Sequence, residues 1–541
     1  GRSALGAEDT HSGNIAIGYQ ALTVQNAGAD AYNVAIGHQA GLNVSTGIRN
    51  VLVGGFAGDA ITTGTDNVAV GHETLSAIDS GSRNTAIGHR ALKTLNVGGI
   101  GLNTAIGYQA GTLITTGTGN TITGAEAGQS ITSGISNEAF GRKALNASTT
   151  ANYNTAVGTE ALRTNILSNR NVAIGFQSLF AHNTGSAVDA YNTAIGFKAG
   201  HLVTTGVGNT IMGGLAGSAL TTSSGNTAVG YQSLSTQTTH GTNTAFGYRT
   251  LKALNVGSFA NNTAVGYDAG LAITTGVENT IIGGLAGDAI TTGDKNTVLG
   301  FAALSTSVDG DHNTAIGYAA LLAYEDGDGN GHNTAVGSAS QSAATTGEFN
   351  TSIGSLSMGT GVTTGDGNVA LGYAAVQAIT SGADNVGVGV NALNDITTGT
   401  RNVAIGSYTL DAEDANGKNV AIGYAALTTL NAGADGFNTA VGHEAGVAMT
   451  TGIRNTLIGG FAGDAITTGS ENTTLGFLSG SKVTTGGKNV AIGGEALAEN
   501  LLGSRNVAVG QEALKAFVSA GSDNNYNTAV GYAAGAAMTT G

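Results

Sequence analysis

The chain has 541 residues, with 90 Gly, no Pro, no Cys, no Trp and a formal net charge of −15. Without Cys, no disulfide or zinc framework can form. The thin spread of negative charge argues against binding to a phosphate backbone. No run of about 18 apolar residues marks a membrane span, and no signal peptide is visible.

Gly1 to Leu5 align with the middle of a repeat, and Met538 to Gly541 stop just short of the next one. The expectation is an excerpt of a longer chain, with any anchor, tip or chaperone module outside it. Between the ends one short unit recurs about thirty times. Each copy opens on Asn, as at Asn33, Asn50, Asn67, Asn84 and Asn103, and the step is 17 residues, occasionally 18 to 21. The consensus reads N-[TV]-A-[IV]-G-[YFH]-x-A-[LG]-x-x-I-T-T-G-x-x. A period this short excludes an ordinary globular core. It predicts a solenoid, in which each unit buries its apolar face against copies of itself. The regular Ile, Val, Leu and Ala positions separate it from a flexible Gly-rich chain, and the missing Pro suits a backbone held in ladders. At a rise of about 4.8 Å per coil, the array predicts a rod of roughly 140 Å.

The first segment of the unit alternates. In Asn67-Val68-Ala69-Val70-Gly71, Val68 and Val70 share one face, and Asn67, Ala69 and Gly71 the other. The β-branched face is read as the packed core, and the small face as one that another backbone approaches closely. Gly at the fifth position (Gly37, Gly54, Gly71, Gly88, Gly107) marks a point intolerant of a side chain. The opening Asn suits a turn, and its amide can pair from coil to coil as a ladder. The second segment, as in Ala60-Ile61-Thr62-Thr63-Gly64, alternates one apolar residue with Thr and reads as a half-exposed strand.

Column six holds most of the aromatics, and His38, His72, His89 and His443 sit among them. A stacked column that accepts any flat ring explains these His better than a metal or pH-sensing row. Longer units carry extra residues before the next Asn, at 26–32, 183–191, 325–332 and 522–526, and these are surface-loop candidates for partner contact. Asp326, Asp328 and Asn330 match the opening of a calcium loop, but Gly337 stands where the closing Glu belongs, so the metal candidate is weak. No nucleophile elbow, phosphate-binding loop, zinc-protease motif or repeated carboxylate pair appears. Neither an enzyme nor a cofactor is expected. Nine-unit blocks begin at Asn33, Asn192, Asn368 and Asn527, within one continuous array over 1–541.

The N-[TV]-A-[IV]-G core, as in Asn84 to Gly88 and Asn402 to Gly406, resembles the head repeats of trimeric autotransporter adhesins (YadA-like). Similar arrays resemble those of bacteriophage tail-fibre shafts. The resemblance covers nearly the whole chain. It implies a left-handed parallel β-roll, three chains around one axis, an extracellular location on a cell or virion surface, and attachment as the task. The unit here is longer than the adhesin repeat by its I-T-T-G segment. The fold expected is therefore an all-β parallel β-solenoid of about 17 residues per coil, a homotrimer, with a single-chain left-handed β-helix as the alternative. The function expected is a fibre rod without a membrane span or nucleic-acid partner, its surface receptor unidentified. A ligand-binding solenoid is the rival, either glycan-binding or ice-binding through Thr pairs such as Thr62-Thr63, Thr115-Thr116, Thr204-Thr205, Thr291-Thr292 and Thr467-Thr468.

Overall fold

A computed structural model describes residues 1–8, 13–325, 330–519, 521 and 524–540. It divides into two compact units, Gly1–Asp268 and Ala269–Gly541. Each is an all-β parallel solenoid of about 17 residues per turn. Among the described residues, unit 1 carries fifteen strands, β1 (Ile15–Ile17) through β15 (Thr263–Val265), and unit 2 fifteen more, β16 (Thr280–Ile282) through β30 (Thr528–Val530). Within a unit each strand pairs in parallel with the next, column on column: Val51 faces Val68, Leu52 faces Ala69 and Val53 faces Val70.

The strands are only three residues long, yet the ladder runs around the whole coil. In the coil of residues 50–66, Val51 N donates to Asn67 O at 2.9 Å, Gly58 N to Thr74 O at 2.8 Å and Thr62 N to Asp79 O at 2.8 Å, all in the following coil. Gly54 N, Phe56 N and Asp66 N donate backwards, to Ile36 O, His38 O and Ile48 O, at 2.7, 2.9 and 3.1 Å. Each coil is thus bonded to both neighbours on every side, which meets the demand that buried backbone polar groups be paired. Pro would remove one of these donors at most positions.

The second segment differs from its sequence reading. Residues 60–64 form a bend, not a strand: Ile61 and Gly64 are buried, Thr62 is half-buried and Thr63 is exposed. Left-handed residues flank the segment, Phe56 and Gly58 before it and Asp66 after it with φ of 59°, 57° and 60°, so the chain turns on both sides of a short bend.

The two faces of the strand are also reversed relative to the sequence reading. Asn67 and Ala69 point inward and are fully buried, whereas Val68 and Val70 face outward and stay half-exposed. The small face therefore packs inside its own coil and offers nothing to another chain. A seventeen-residue coil has a narrow interior, and columns three, nine and twelve share it. Where column three is Leu or Ile, column nine is Gly: a Cβ on Gly58 would stand 2.8 Å from Leu52 Cδ2, and one on Gly128 2.8 Å from Ile122 Cδ1. Where column three is Ala, as at Ala69 and Ala86, column nine is usually Leu, as at Leu75 and Leu92, all fully buried. Columns two and four stand outside because strand alternation turns them away from columns one and three, which fill the interior.

Candidate functional site

Three surfaces of the coil carry side chains that act from coil to coil. The innermost is the Asn column. Asn67 N and Nδ2 both donate to Asn50 Oδ1, at 3.0 and 3.1 Å, and Nδ2 also donates to Gly81 O at 2.9 Å. Asn50 does the same with Asn33 Oδ1 and Gly64 O. Asn84 and Asn103 continue the row. One amide thereby ties its own coil across the interior and joins it to the preceding one, with every partner withdrawn from water. The column survives the 21-residue coil, where Asn192 N still reaches Asn171 Oδ1 at 3.2 Å. The fifth-column glycines stand at the other end of the strand. Gly71 holds φ of 135°, and a Cβ there would stand 2.6 Å from Gly88 O, so that position excludes a side chain on two counts. Gly37, Gly54, Gly88 and Gly107 repeat this arrangement.

The second surface is the outward face of the strands. Columns two and four present Thr or Val and then Ile, Val, Leu or Phe, half-exposed or exposed in coil after coil; Ile106 is 38 % and Phe246 54 % exposed. Two columns of rings border it. One is column six, with neighbours from column seven: Tyr19, His38, Phe56, His72, His89 and Tyr108 follow one another with centroids 5.1 to 5.8 Å apart. In unit 2, His443 lies between Tyr424 and Phe461, 5.2 Å from each. Each of these His thus has ring neighbours, and among the described residues no three His, Cys, Asp or Glu side chains group as metal ligands. The other column stands just before the Asn and was missed from sequence. There His312, His332 and Phe349 stack at 4.6 and 5.3 Å, and Arg170 lies over both Tyr153 and Tyr191. Its signal was available, since Tyr32, Tyr153, Tyr191, Phe349, Phe437 and Tyr526 each directly precede the repeat's Asn.

The third surface is the Thr segment. The first Thr of each pair spends its hydroxyl on the next coil: Thr204 Oγ1 donates to Thr221 O at 3.2 Å and Thr221 Oγ1 to Thr238 O at 2.7 Å. The second Thr, such as Thr205, faces water with its hydroxyl free of the next coil's backbone.

The long loops are tied down where they are described. Asp189 pairs with Arg170 at 3.0 Å and bridges to Asn169, and Ala31 O accepts Arg49 N at 2.7 Å. Asn330 bridges to Asp311, while Asp326 and Asp328 of the calcium candidate lie outside the described residues, as do Ser522 and Asp523 of the last loop. A shallow concavity of about 320 Å³ in unit 2 is lined by Ser470, Ser504, Lys488 and Arg505. Its cations are engaged, Lys488 with Glu471 at 3.9 Å and Arg505 with Asn524 Oδ1 at 2.9 Å. No helix of the described residues is long and apolar enough to cross a membrane. No family model matches the chain, and no curated protein matches it either.

Proposed function

We propose that this chain is a structural rod segment of an extracellular fibre, an adhesin or a viral tail fibre, without enzymatic activity, and that it works as a homotrimer on a cell or virion surface. The observation that carries the reading is the outward strand face: column four is apolar in nearly every coil, Thr123 being an exception, and stretches of stacked rings border it. Soluble monomers rarely expose contiguous apolar surface beyond a few hundred Å², and a row this regular suits a second copy with the same period. The contact then uses the Val and Ile face, because the Ala face is already spent inside the coil.

Light scattering after size exclusion tests the assembly, with three times the chain mass of 53.0 kDa expected. Ile87→Glu with Ile106→Glu, on that face, should yield monomers, whereas Thr116→Glu on the Thr surface should leave the trimer intact. A wild-type monomer overturns the trimer and shifts attention to the exposed Thr row, which thermal hysteresis would then examine as an ice-binding surface.

A further inference from the structure

Column twelve points into the coil, and Ile396 and Leu430 fill it on either side of position 413. At 413 the residue is Glu, and it is fully buried. Two asparagines show how a polar side chain is accommodated in this column. Asn165 donates Nδ2 to Ser168 O at 2.9 Å and accepts Ser168 N on Oδ1 at 3.1 Å. Asn500 closes the same ring with Gly503, at 2.9 and 3.0 Å. Glu413 makes half of it: Oε1 accepts Asn416 N at 3.2 Å, the Asn416 side chain also interacts with the carboxyl, and Oε2 is buried with no hydrogen bond of normal geometry. A carboxylate has no donor with which to complete the ring, whereas a neutral carboxylic acid has one O–H. Asn416 is also a partner of the interior ladder, since its carbonyl accepts Asn402 Nδ2 at 2.9 Å.

The charged neighbours disfavour ionisation. Asp414, on the same coil, adds a like charge and accepts the Thr397 hydroxyl from the coil before. Asp411 is half-buried beside Asp395 of the preceding coil, and burial with that charge pushes its carboxyl up to about 6. The nearby cations are turned elsewhere, Lys418 to Asp435 at 2.6 Å and Arg401 to Asp384 at 3.7 Å.

We propose that the coil of residues 402–418 contains a proton-operated latch: neutral Glu413 completes the interior hydrogen bonding of the coil, and ionised Glu413 loosens it. Burial pushes the Glu413 carboxyl up to about 7, with the Asp414 charge adding to it and the Asn416 hydrogen bonds opposing. A raised carboxyl contributes stability that is complete below its unfolded value of 4.5 and is lost as pH rises to about 7. The coil is therefore tightest in mild acid and opens locally near neutrality and above.

Hydrogen exchange on the full chain reads this directly. The reporters are Val403 N, Leu410 N and Thr397 N, which donate to Asn419 O, Ala426 O and Asp414 O. After correction for intrinsic rates, their protection should fall roughly 50- to 100-fold between pH 5 and pH 8. The coil of residues 209–225, with Leu220 in the same column and no ionisable side chain, should not change. Glu413→Gln keeps a donor at every pH and should hold protection high at both. Glu413→Ile restores the usual residue and should do the same, which covers the case in which the Gln variant folds poorly. Asp411→Asn should retain most of the fall. The latch is refuted if protection in wild type falls no further at these amides than in the coil of residues 209–225, if both Glu413 variants fall as wild type does, or if Asp411→Asn abolishes the effect.

Discussion

Two stretches of unit 1 share one backbone and differ inside. In residues 50–83 the interior is apolar: Leu52 fills the space over Gly58, Leu75 lies beside Ala69, and column twelve holds Ile61 and Ile78. In residues 137–191 column twelve holds Ser148, Asn165 and His182, all fully buried. The ladder does not notice: Val51 N to Asn67 O is 2.9 Å and Val172 N to Asn192 O is 2.8 Å. Backbone bonding sets the coil, and the interior sets how firmly each coil is held. Stability of a solenoid is close to a sum of local terms, so the two stretches should respond to different insults. The readout has to be local as well, because one melting temperature for a long array hides such differences.

The largest expected effect is in the apolar stretch. Leu52→Ala removes the side chain that fills the space over Gly58 and should cost about 3–5 kcal/mol of local stability. Gly58→Leu alone should also destabilise, because the new side chain meets Leu52 Cδ2. Together they recreate the Ala69 and Leu75 arrangement, and Leu75 already adopts φ of 48° at the equivalent place. The double variant should recover at least half of the loss in hydrogen exchange at Val51 and Gly58. Additive losses would show that the two columns do not share one space.

The polar stretch should fail in acid. Burial lowers the His182 imidazole to about 4, slightly offset by the Thr204 backbone, and its ring nitrogens make no hydrogen bond of normal geometry. A lowered His contributes stability present above its unfolded value of 6.5 and lost as pH falls through about 4. That linkage is worth about 3 kcal/mol for the coil around residue 182. Protection at Asn183 N, which donates to Thr204 O at 2.8 Å, should drop between pH 6.5 and pH 4, and His182→Leu should remove the drop. A drop that persists in that variant would assign it to another group. This is the opposite sign to Glu413 in unit 2, so the two interior substitutions bracket the pH range over which both units are firm.

Much of this architecture is readable in the residues. The 17-residue period gives parallel coils, and the repeated Asn is placed where an amide can stack. Alternation in Val68-Ala69-Val70 announces two faces but not which one is inside; that depends on the cross-section of the coil, which no single segment reports. The pairing of Leu52 with Gly58, Ile122 with Gly128, Ile211 with Gly217 and Leu457 with Gly463 did carry that information, because a large residue in column three and Gly in column nine make sense only if both point inward. The bend at residues 60–64 was not readable. Asp66 tolerates positive φ, but nothing in the local preferences of Phe56 or Leu75 marks them for it. The ladder bonds to both neighbouring coils impose it, and those exist only once the coils are stacked.

The smallest expected effect separates the two Thr of one pair and bears on the rival function. Thr204 Oγ1 donates to Thr221 O at 3.2 Å, so Thr204→Val removes a coil-to-coil bond and should cost about 1 kcal/mol. Thr205 faces water, and Thr205→Val should stay within about 0.5 kcal/mol. Hydrogen exchange at Thr204 N, bonded to Thr221 O at 2.8 Å, reads both changes in one experiment. If the ordering holds and neither variant alters thermal hysteresis, the Thr segment is a seam between coils, and the surface left for a partner is the Val and Ile face. If Thr205→Val leaves stability alone but abolishes a measurable hysteresis, the exposed Thr row is the working surface, and the apolar face needs another explanation.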